Sequence, residues 1–417
     1  MILMHGEIIS SEMESKYLTG LYEDCIRTLA RPGTVTAEKV INACDALYRR
    51  VKSGEFDALI MPVLQMSDIS YERFADMARL FSKEELEYKC KMELGELTET
   101  LKSGIRRKRY PLGILFHIAA GNVDGLPAYS VIEGLLAGNI NILKLPAGDN
   151  GLSVRLLWEL VQCEPDLKDY IYVFDVPSAD VGTLKAFARM ADGIVVWGGD
   201  EAVKAAREMA DVTTKIIAWG HKLSFAYITE SVTDAQLEVL ARHVCTTNQV
   251  LCSSCQGIFV DTEDREVLEE IGRRFFALLQ KANREMGRAD MGMRGKNTIR
   301  LYTDMLEKPA GQTFFSADGV SVIVKEDNEL ELSYLFRNVW VKALSREQIV
   351  PVLKKHKNHL QTCGLLCKDE EREVLEDKLI RAGVVRLTDG NMSRTVAGEA
   401  HDGTYPLAEY SRIVEIG

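Results

Sequence analysis

The sequence lacks any hydrophobic run long enough to cross a membrane. A transmembrane helix needs about 20 consecutive apolar residues, and no segment of this chain approaches that length. The first residues also lack the basic region and the apolar core of a signal peptide. We therefore expect a cytoplasmic protein with no membrane span.

The chain also lacks an excess of basic residues. It has 62 Asp and Glu against 51 Lys and Arg among 417 residues, which gives a formal net charge of −11. A nucleic-acid-binding protein would present a basic face. This balance argues against nucleic acid as a partner.

The cysteines do not indicate a disulfide framework or a metal site. Nine is an odd number, and the residues are spread through a long chain, as is typical of reduced thiols in a cytoplasm. Cys252 and Cys255 form a C-x-x-C pair, but Cys363 and Cys367 lie four apart in an apolar strand pattern, which separates them by about 13 Å. Both could not reach one zinc ion at about 2.3 Å, so we expect no metal.

What the chain does have is a regular alternation of strand and helix patterns that begins at Tyr110. A buried strand over residues 112–118 is followed by a Gly-rich loop, a helix over 128–137 and a second buried strand over 139–145. This unit has the size of a parallel β-α-β crossover. The alternation continues to Trp219 and predicts a doubly wound parallel α/β sheet.

The pattern divides the chain into domains. Residues 1–244 are predicted to form a first domain, whose N-terminal part, 1–104, is mostly helical. Residues 245–385 form a second α/β domain, and 386–417 a C-terminal segment. Ligands bind open parallel sheets at the carboxyl ends of the strands. In the first domain these ends are Ala120–Asn122, Lys144–Pro146, Gly198–Gly199 and Gly220–Lys222.

Residues 248–260 combine a cysteine with small polar neighbours and a following apolar run. A loop that leads into a strand fixes the backbone and leaves a thiol and its own N–H free to face a substrate. A lone cysteine is usually a small core hydrophobe, but a buried strand would tolerate the polar side chains of 248–256 poorly. This favours Cys252 as a nucleophile. Its neighbours are expected to leave room around the sulfur: Gln249, Ser253 and Ser254.

Further candidates lie at strand ends. Asn122 is either a residue of a turn or an amide that donates to a developing oxyanion. Lys144 is either a snorkelling strand-end lysine or a charge that binds a dinucleotide. Gly198 and Gly199 could bring a helix N-terminus to a pyrophosphate, although the G-x-G-x-x-G fingerprint is absent.

Two histidines and one basic run are further candidates, but their sequence context is less specific for a function. His117 lies within an apolar strand and is predicted to be a core histidine, whereas the role of His221 is open. The run Arg106–Arg109 is either a solvated turn before a strand or an attractor for cofactor or coenzyme A phosphates.

Together these motifs resemble the aldehyde dehydrogenase superfamily, and more closely its LuxC-type branch, the long-chain acyl-CoA (fatty acid) reductases. The resemblance covers most of the chain after residue 105 and implies a Rossmann-type cofactor domain beside a second α/β catalytic domain. The matching segments, in family order, are Phe116–Val123 with Leu126–Pro127, Gly134–Lys144, Trp197–Asp200, Trp219–Ser224, Asn248–Gln256, Leu360–Gly364 and His401–Gly403.

The resemblance also implies roles for the candidate residues. Cys252 is the acylated nucleophile and Asn122 the oxyanion amide. Lys144 contacts a nicotinamide cofactor, NADPH with NADH as the alternative. Other positions implied at the cofactor site are Gly198, Gly199, Ala120, Pro146 and Gly220.

The chain departs from the family's hydrolytic members at one informative position. These enzymes carry a glutamate base in the motif E-L-G-G-K, and the aligned stretch Ala218–Lys222 begins with alanine. Without that base nothing obvious activates water, so an acyl-enzyme would survive for reduction. Cys255 also stands where members often carry proline, and the glutamate that holds the ribose has no clear counterpart near Glu329–Glu331.

We therefore predict NAD(P)H-dependent reduction of an acyl thioester to an aldehyde through an acyl-cysteine. The substrate would be acyl-CoA or an acyl-protein, and the family implies an acyl-protein synthetase partner and a homo-oligomer. Two alternatives stay open. One is an acyl-phosphate reductase of the same fold, similar to glutamyl-phosphate reductase. The other is a non-catalytic module that binds nucleotide or an acyl-protein.

Overall fold

The structure is a computed structural model that describes the chain except for residues 32, 67–73, 76–77, 96–97, 120–124, 148, 150, 288–290, 308–310 and 395. The chain divides into two units. Unit 1 comprises Met1–Gly220 and Val396–Gly417, and unit 2 comprises His221–Thr395. Among the described residues, no helix is both long and apolar enough to span a bilayer.

The strands, in chain order, are β1 (Ile2–Met4), β2 (Glu7–Ile9), β3 (Thr98–Thr100), β4 (Arg106–Pro111), β5 (Ile114–Ile118), β6 (Ile140–Lys144), β7 (Ile171–Phe174), β8 (Gly193–Trp197), β9 (Lys215–Trp219), β10 (Leu223–Thr229), β11 (Cys255–Asp261), β12 (Gln312–Ala317), β13 (Val320–Lys325), β14 (Asn338–Ala343), β15 (Leu360–Leu366), β16 (Arg386–Thr388) and β17 (Ser411–Ile416).

The α-helices, in chain order, are α1 (Glu14–Leu18), α2 (Leu21–Leu29), α3 (Ala37–Lys52), α4 (Asp57–Met66), α5 (Lys83–Leu94), α6 (Leu126–Leu136), α7 (Leu152–Cys163), α8 (Val181–Met190), α9 (Asp200–Met209), α10 (Asp234–Thr247), α11 (Arg265–Glu285), α12 (Met291–Glu307), α13 (Ile349–Leu353), α14 (Asp369–Ala382) and α15 (Pro406–Glu409).

Unit 1 is built on a seven-stranded sheet in the order β2-β1-β7-β6-β5-β8-β9. Strands β5 to β9 are parallel, and their residues are mostly buried, as expected for a sheet covered on both faces. The chain leaves β5 toward β6 on one side and later returns to add β8 on the other. This confirms the predicted doubly wound sheet and places its topological switch point between β5 and β8.

The N-terminal part is not only helical. Strands β1 and β2 form a hairpin that extends the sheet of unit 1, because β1 pairs antiparallel with β7 through Leu3 and Val173. The two turn residues, His5 and Gly6, have φ of 49° and 80°, which a tight two-residue hairpin turn requires. Strands of three residues are too short to show a period of two, so the pattern of residues 1–104 did not predict them.

Unit 2 contains a second seven-stranded sheet in the order β12-β13-β14-β11-β10-β15-β16. All neighbours are parallel except β12 and β13. Every residue of the central strand β10 is buried. Since β10 pairs with β11 and β15, unit 2 begins at His221 and ends at Thr395, whereas the sequence pattern places the boundaries at 244 and 385.

A three-stranded sheet in the order β17-β4-β3 completes unit 1. The basic run Arg106–Arg109 lies within β4 and is therefore a strand, not a turn. Arg107 faces the carboxylates of Glu99 and Glu415, and Arg109 donates to the backbone oxygen of Leu94 at 3.2 Å. These two cations are thus held by the protein's own acceptors.

Candidate active site

Cys252 lies in the loop between α10 and β11, and its side chain is exposed. The helix ends at Thr247, and Asn248 adopts a left-handed conformation that turns the chain into the loop. Cys255, by contrast, is fully buried, and its thiol donates to the Gly257 oxygen at 3.2 Å. Burial raises the pKa of the Cys255 thiol to about 12. The two cysteines of the C-x-x-C pair therefore differ in exposure, and of the two only Cys252 is accessible to a substrate.

Buried amides hold the loop from within. The Gln249 side chain donates to the Cys255 oxygen at 3.0 Å and to the Asn338 oxygen at 3.2 Å. Gln256 donates to the Gln249 oxygen at 3.1 Å and accepts from the Ser333 hydroxyl at 2.9 Å. The expectation that Gln249 leaves room around the sulfur is wrong, because it is 1% exposed. It anchors the loop, as a buried amide with satisfied hydrogen bonds does.

Hydroxyl groups fix the backbone at the cysteine itself. The Ser224 hydroxyl donates to the Cys252 oxygen at 2.7 Å and accepts from the Thr362 N–H at 3.1 Å. Ser254, which was also expected to leave room, is fully buried and accepts from the Leu251 N–H at 3.0 Å. Strands β10 and β15 thus hold the peptide of Cys252, while its thiol stays exposed.

The loop contains strained backbone that is locked to a second strained segment. Asn248 and Gln249 have φ of 46° and 64°, and the three consecutive residues Leu335, Phe336 and Arg337 have φ of 56°, 47° and 71°. Left-handed conformations cost a non-glycine residue about 1–2 kcal/mol. They persist only where surrounding contacts over-determine them. The Phe336 N–H donates to the Asn248 oxygen at 2.9 Å, which joins the two segments.

A histidine secures the other end of the loop. The Cys255 N–H donates to Nε2 of His243 at 3.2 Å, and His243 is 3% exposed. An acceptor nitrogen carries no proton, so this geometry assigns the proton of the neutral ring to Nδ1. The sequence pattern did not single out His243.

Two further histidines lie at the same sheet edge as Cys252. Strands β10, β11 and β15 are parallel, so the residues that precede them share the amino edge of the sheet. His221 precedes β10, and His359 precedes β15. Nδ1 of His359 lies 3.0 Å from the His221 oxygen, and the two ring centroids are 6.0 Å apart. Sequence reasoning missed His359, because a histidine before a strand carries no signal by itself.

The candidate cofactor residues lie at the carboxyl edge of the sheet in unit 1. Lys144 ends β6, is 6% exposed and donates to the Ser178 hydroxyl at 3.0 Å. Burial lowers the pKa of Lys144, because desolvation disfavours the cation. Pro146 follows β6, and Gly220 follows β9. Ala120 and Asn122 lie outside the described residues.

Gly198 and Gly199 join β8 to α9. A Cβ on Gly198 would lie 2.9 Å from Cβ of Ala202, so this position needs glycine for packing, whereas a Cβ on Gly199 would meet open space. The backbone at Gly199 is therefore open on the side that a Cβ would occupy. Asp200 and Glu201 in the first turn oppose a bound anion through their charge.

His117 is a core residue, which confirms its predicted role. It is fully buried, with Nδ1 2.7 Å from the Ser130 hydroxyl and Nε2 3.0 Å from the Asn141 side-chain oxygen. Burial lowers the pKa of His117 to about 4. The indole of Trp197 donates to the same Ser130 hydroxyl at 3.0 Å, so the end of β8 is tied to this neutral core network.

A family model described as acyl-CoA reductase (LuxC) matches residues 34–413 of the chain. The long-chain acyl-protein thioester reductase of Aliivibrio fischeri is 26% identical over 322 residues, which cover 74% of this chain and 64% of that protein. The protein of the same name from Vibrio harveyi is 24% identical and covers 74% and 65%. The chain thus spans just under two thirds of the length of these relatives.

Solved structures show the same fold at low sequence identity. Betaine aldehyde dehydrogenase of Staphylococcus aureus in complex with NAD+ has a TM-score of 0.75 and 15% identity, and the match covers 98% of this chain and 91% of that one. A 3,6-anhydro-L-galactose dehydrogenase has a TM-score of 0.74 and 12% identity, with 100% and 99% covered. The predicted aldehyde-dehydrogenase-like fold is confirmed.

Proposed function

The chain belongs to the LuxC family of acyl-CoA reductases, and from that premise we propose that it reduces an acyl thioester to an aldehyde through an acyl group on Cys252. The observation that supports this most directly is the exposed Cys252 thiol on a peptide held by Ser224 at 2.7 Å. A nucleophile must be accessible while its backbone stays fixed. Cys252 meets both requirements.

In the proposed first step, the Cys252 thiolate attacks the thioester carbonyl carbon. The tetrahedral intermediate expels the thiolate of the donor and leaves the acyl group on Cys252. We propose that the side-chain amide of Asn122 and the N–H of Cys252 stabilise the oxyanion. One such donor is worth about 2.7–4 kcal/mol in a preorganised site.

In the second step, a hydride adds to the carbonyl carbon of the acyl-enzyme. A reduced nicotinamide, when bound, supplies that hydride. The resulting thiohemiacetal breaks its carbon–sulfur bond, releases the aldehyde and returns the thiolate of Cys252. The net reaction consumes one proton and one two-electron reductant for each aldehyde and donor thiol formed.

We propose that the cofactor is held at the carboxyl edge of the sheet in unit 1. Lys144 would supply a cation, and the backbone of Gly198–Gly199 would approach the pyrophosphate. Neighbouring strand-end positions proposed to line the site are Ala120, Pro146 and Gly220. We propose NADPH, because the ammonium of a strand-end lysine can pair with an additional phosphate. Lys144→Met should then raise the Kd for NADPH more than the Kd for NADH.

We further propose that the acyl group is long-chain and can arrive on a protein. The relatives from Aliivibrio fischeri and Vibrio harveyi are named long-chain acyl-protein thioester reductases. A partner that loads the acyl group, an acyl-protein synthetase, is part of this proposal, as is a homo-oligomer. We propose a cytoplasmic location, which the nine cysteines of the chain fit because thiols persist in a reducing compartment.

The proposal is tested by labelling with radioactive acyl-CoA. Wild-type protein should retain a thioester-linked acyl group, and Cys252→Ser should lose it while it still binds NADPH. Cys163→Ser, which removes a half-buried thiol of unit 1, is the matched control and should label normally. Wild-type labelling of Cys252→Ser would refute the assignment. NADPH oxidation with a series of acyl-CoA chain lengths then gives the substrate range, and acyl phosphate as substrate tests the alternative reductase.

The absence of a general base at Ala218 gives a second test of the same proposal. Ala218 lies one residue before the end of β9 and replaces the glutamate of hydrolytic relatives. Ala218→Glu should release labelled fatty acid from the acyl-enzyme, because a carboxylate can activate water. Ala218→Gln, with similar size and no base, is the control. If both variants release no more acid than wild type, the missing base does not explain the survival of the acyl-enzyme.

A further inference from the structure

Arg337 is a buried arginine in contact with the start of the nucleophile loop. It is 4% exposed and has the left-handed φ of 71° described above. Its Nε donates to the side-chain oxygen of Asn248 at 3.0 Å. Asn248 is the first residue after α10, four positions before Cys252. One guanidinium therefore contacts the residue at which the chain turns toward the thiol.

The same guanidinium binds the C-terminal ends of two helices. Nη2 donates to the Cys245 oxygen of α10 at 3.3 Å, and Nη1 donates to the Asn283 side-chain oxygen in α11 at 2.6 Å. Nη1 also donates to the oxygen of Gly287, just beyond α11. Carbonyls at a helix C-terminus carry partial negative charge and favour a cation. The buried charge of Arg337 is thus stabilised where two helix dipoles converge.

These contacts make Arg337 the junction between the two strained segments. Its backbone belongs to residues 335–337, and its side chain binds the other segment at Asn248. The Phe336 N–H and the Asn338 N–H reach the same segment, at the Asn248 oxygen (2.9 Å) and at the Gln249 side chain (3.0 Å). Left-handed residues survive only under such multiple restraint.

We propose that Arg337 is a positioning residue for Cys252. Its guanidinium holds Asn248 against the ends of α10 and α11, and this keeps the loop in the one backbone conformation that presents the thiol. The inference rests on the proposed function of Cys252 and adds a residue that no sequence motif singled out. Lysine cannot replace arginine here, because an ammonium is a point charge, whereas these acceptors surround a planar fork of five N–H donors.

The experiment compares four variants of the full chain. Arg337→Lys removes the fork. Asn248→Gly removes the tethered side chain but permits the left-handed φ without strain. Asn248→Asp keeps an oxygen acceptor for Arg337. Arg346→Lys is the matched control, because Arg346 binds Asp261 at the far end of β11.

Hydrogen exchange of the peptide that covers residues 248–256 measures the loop without reference to activity. We expect its amides to exchange about tenfold faster in Arg337→Lys and Asn248→Gly, because a lost tether lets the loop open locally. In Arg346→Lys the amides should exchange at the wild-type rate. In Asn248→Asp they should exchange at a rate closer to that of wild type than in Asn248→Gly. Unchanged exchange in Asn248→Gly would overturn the proposal.

Single-turnover acylation by acyl-CoA measures the consequence for the nucleophile. Misplacement of a reacting group by about 1 Å can cost a factor of about 100 in rate. We expect acylation to slow by about 10- to 100-fold in Arg337→Lys and Asn248→Gly, with the Kd for NADPH unchanged and Asn248→Asp restoring most of the rate. If the loop amides of these variants exchange faster but Cys252 is acylated at the wild-type rate, the positioning role is refuted. A wild-type protein that takes up no label would instead refute the proposed function, while the exchange comparison still stands.

Discussion

At the scale of single residues, burial separates one thiol of this protein from the others. Cys252 is exposed. Burial raises the pKa of Cys25 to about 12 and that of Cys245 and Cys90 to about 11. A thiol reacts as its thiolate, so these three thiols, of which Cys25 and Cys245 are buried and Cys90 is half-buried, should react slowly at neutral pH. The same argument makes Cys255, three residues from Cys252, a structural thiol and not a redox partner.

We predict that iodoacetamide modifies Cys252 before the buried cysteines. At pH 8 a thiol with a pKa of about 11 is ionised to about one part in a thousand, and burial slows its contact with the reagent further. Peptide mapping by mass spectrometry after limited alkylation measures the order. Equal labelling of Cys252 and Cys245 in folded protein would contradict the prediction and favour a non-catalytic binding module.

His117 makes a prediction for stability against pH. Its pKa is about 4 in the folded protein because of burial and about 6.5 when unfolded. The unfolded chain therefore binds a proton that the folded protein does not. Stability from this group is fully present above pH 6.5 and is lost as pH falls toward 4, by about 3 kcal/mol in total.

Urea unfolding at pH 7.5 and at pH 4.5 tests this, with His117→Gln as the comparison. The variant should be less stable at pH 7.5, because the bonds to Ser130 and Asn141 are altered, but should lose less stability on acidification. An identical acid-induced loss in both proteins would show that other groups account for it.

At the scale of elements, strand β11 connects the nucleophile loop to the core by close backbone packing. A Cβ on Gly257 would lie 1.9 Å from the ring of Trp340, so the strand lies directly against the indole. The centroid of the Trp340 ring in turn lies 4.9 Å from that of Phe259, with the two ring planes tilted by 59°. Any side chain at 257 must move Trp340 or displace the strand that fixes Cys255.

We predict that Gly257→Ala destabilises the protein by about 2 kcal/mol or more, because overpacking typically costs 1–3 kcal/mol. The free energy of unfolding in urea measures it, with tryptophan fluorescence as the probe. Gly182→Ala is the control, since Gly182 lies in α8 with the nearest side-chain atom at 3.5 Å. There alanine should be neutral or stabilising, because its helix propensity is higher than that of glycine. Equal losses in the two variants would contradict the packing argument.

Elements with a clear sequence pattern were predictable, and those without one were not. The parallel strands of unit 1 appear as long apolar runs between helices, so their sheet followed from the pattern. Strand β10 was not predicted, because only three residues separate it from β9 and no helix lies between the two strands. That omission moved the predicted boundary to 244. The sequence also did not predict the hydrogen bonds that hold the loop of Cys252. Ser333 and Asn338 are about 80 positions away in the chain, and hydrogen-bond partners leave no local period.

At the scale of the whole molecule, each unit has its own core and its own candidate site edge. In unit 1 the proposed cofactor residues follow the strands, at the carboxyl edge. In unit 2 Cys252 precedes its strand, at the amino edge. Motif spacing predicted that Cys252, Lys144 and Gly198 lie next to strand ends, and the structure places them there. Their roles stay predictions until the labelling and binding experiments are done.

We predict that removal of residues 406–417 destabilises unit 1. Tyr410 is fully buried, and its backbone oxygen accepts from the Asn139 side chain at 2.9 Å. The Leu407 N–H donates to the buried carboxylate of Glu93 at 2.9 Å. Loss of these partners removes hydrogen bonds from buried polar groups, which costs about 1–3 kcal/mol each. Weaker NADPH binding and a lower Tm should result, and removal of Gly417 alone is the control that should change neither.

The division of unit 1 into two chain segments bears on how the protein is made. Its sheet of β17, β4 and β3 needs the last strand to be synthesised, although most of the unit leaves the ribosome first. During translation, the edge of β4 that later pairs with β17 stays unpaired until residues 221–395 have been synthesised. An exposed strand edge invites pairing with other chains, so slow elongation through unit 2 should favour aggregation of the nascent protein.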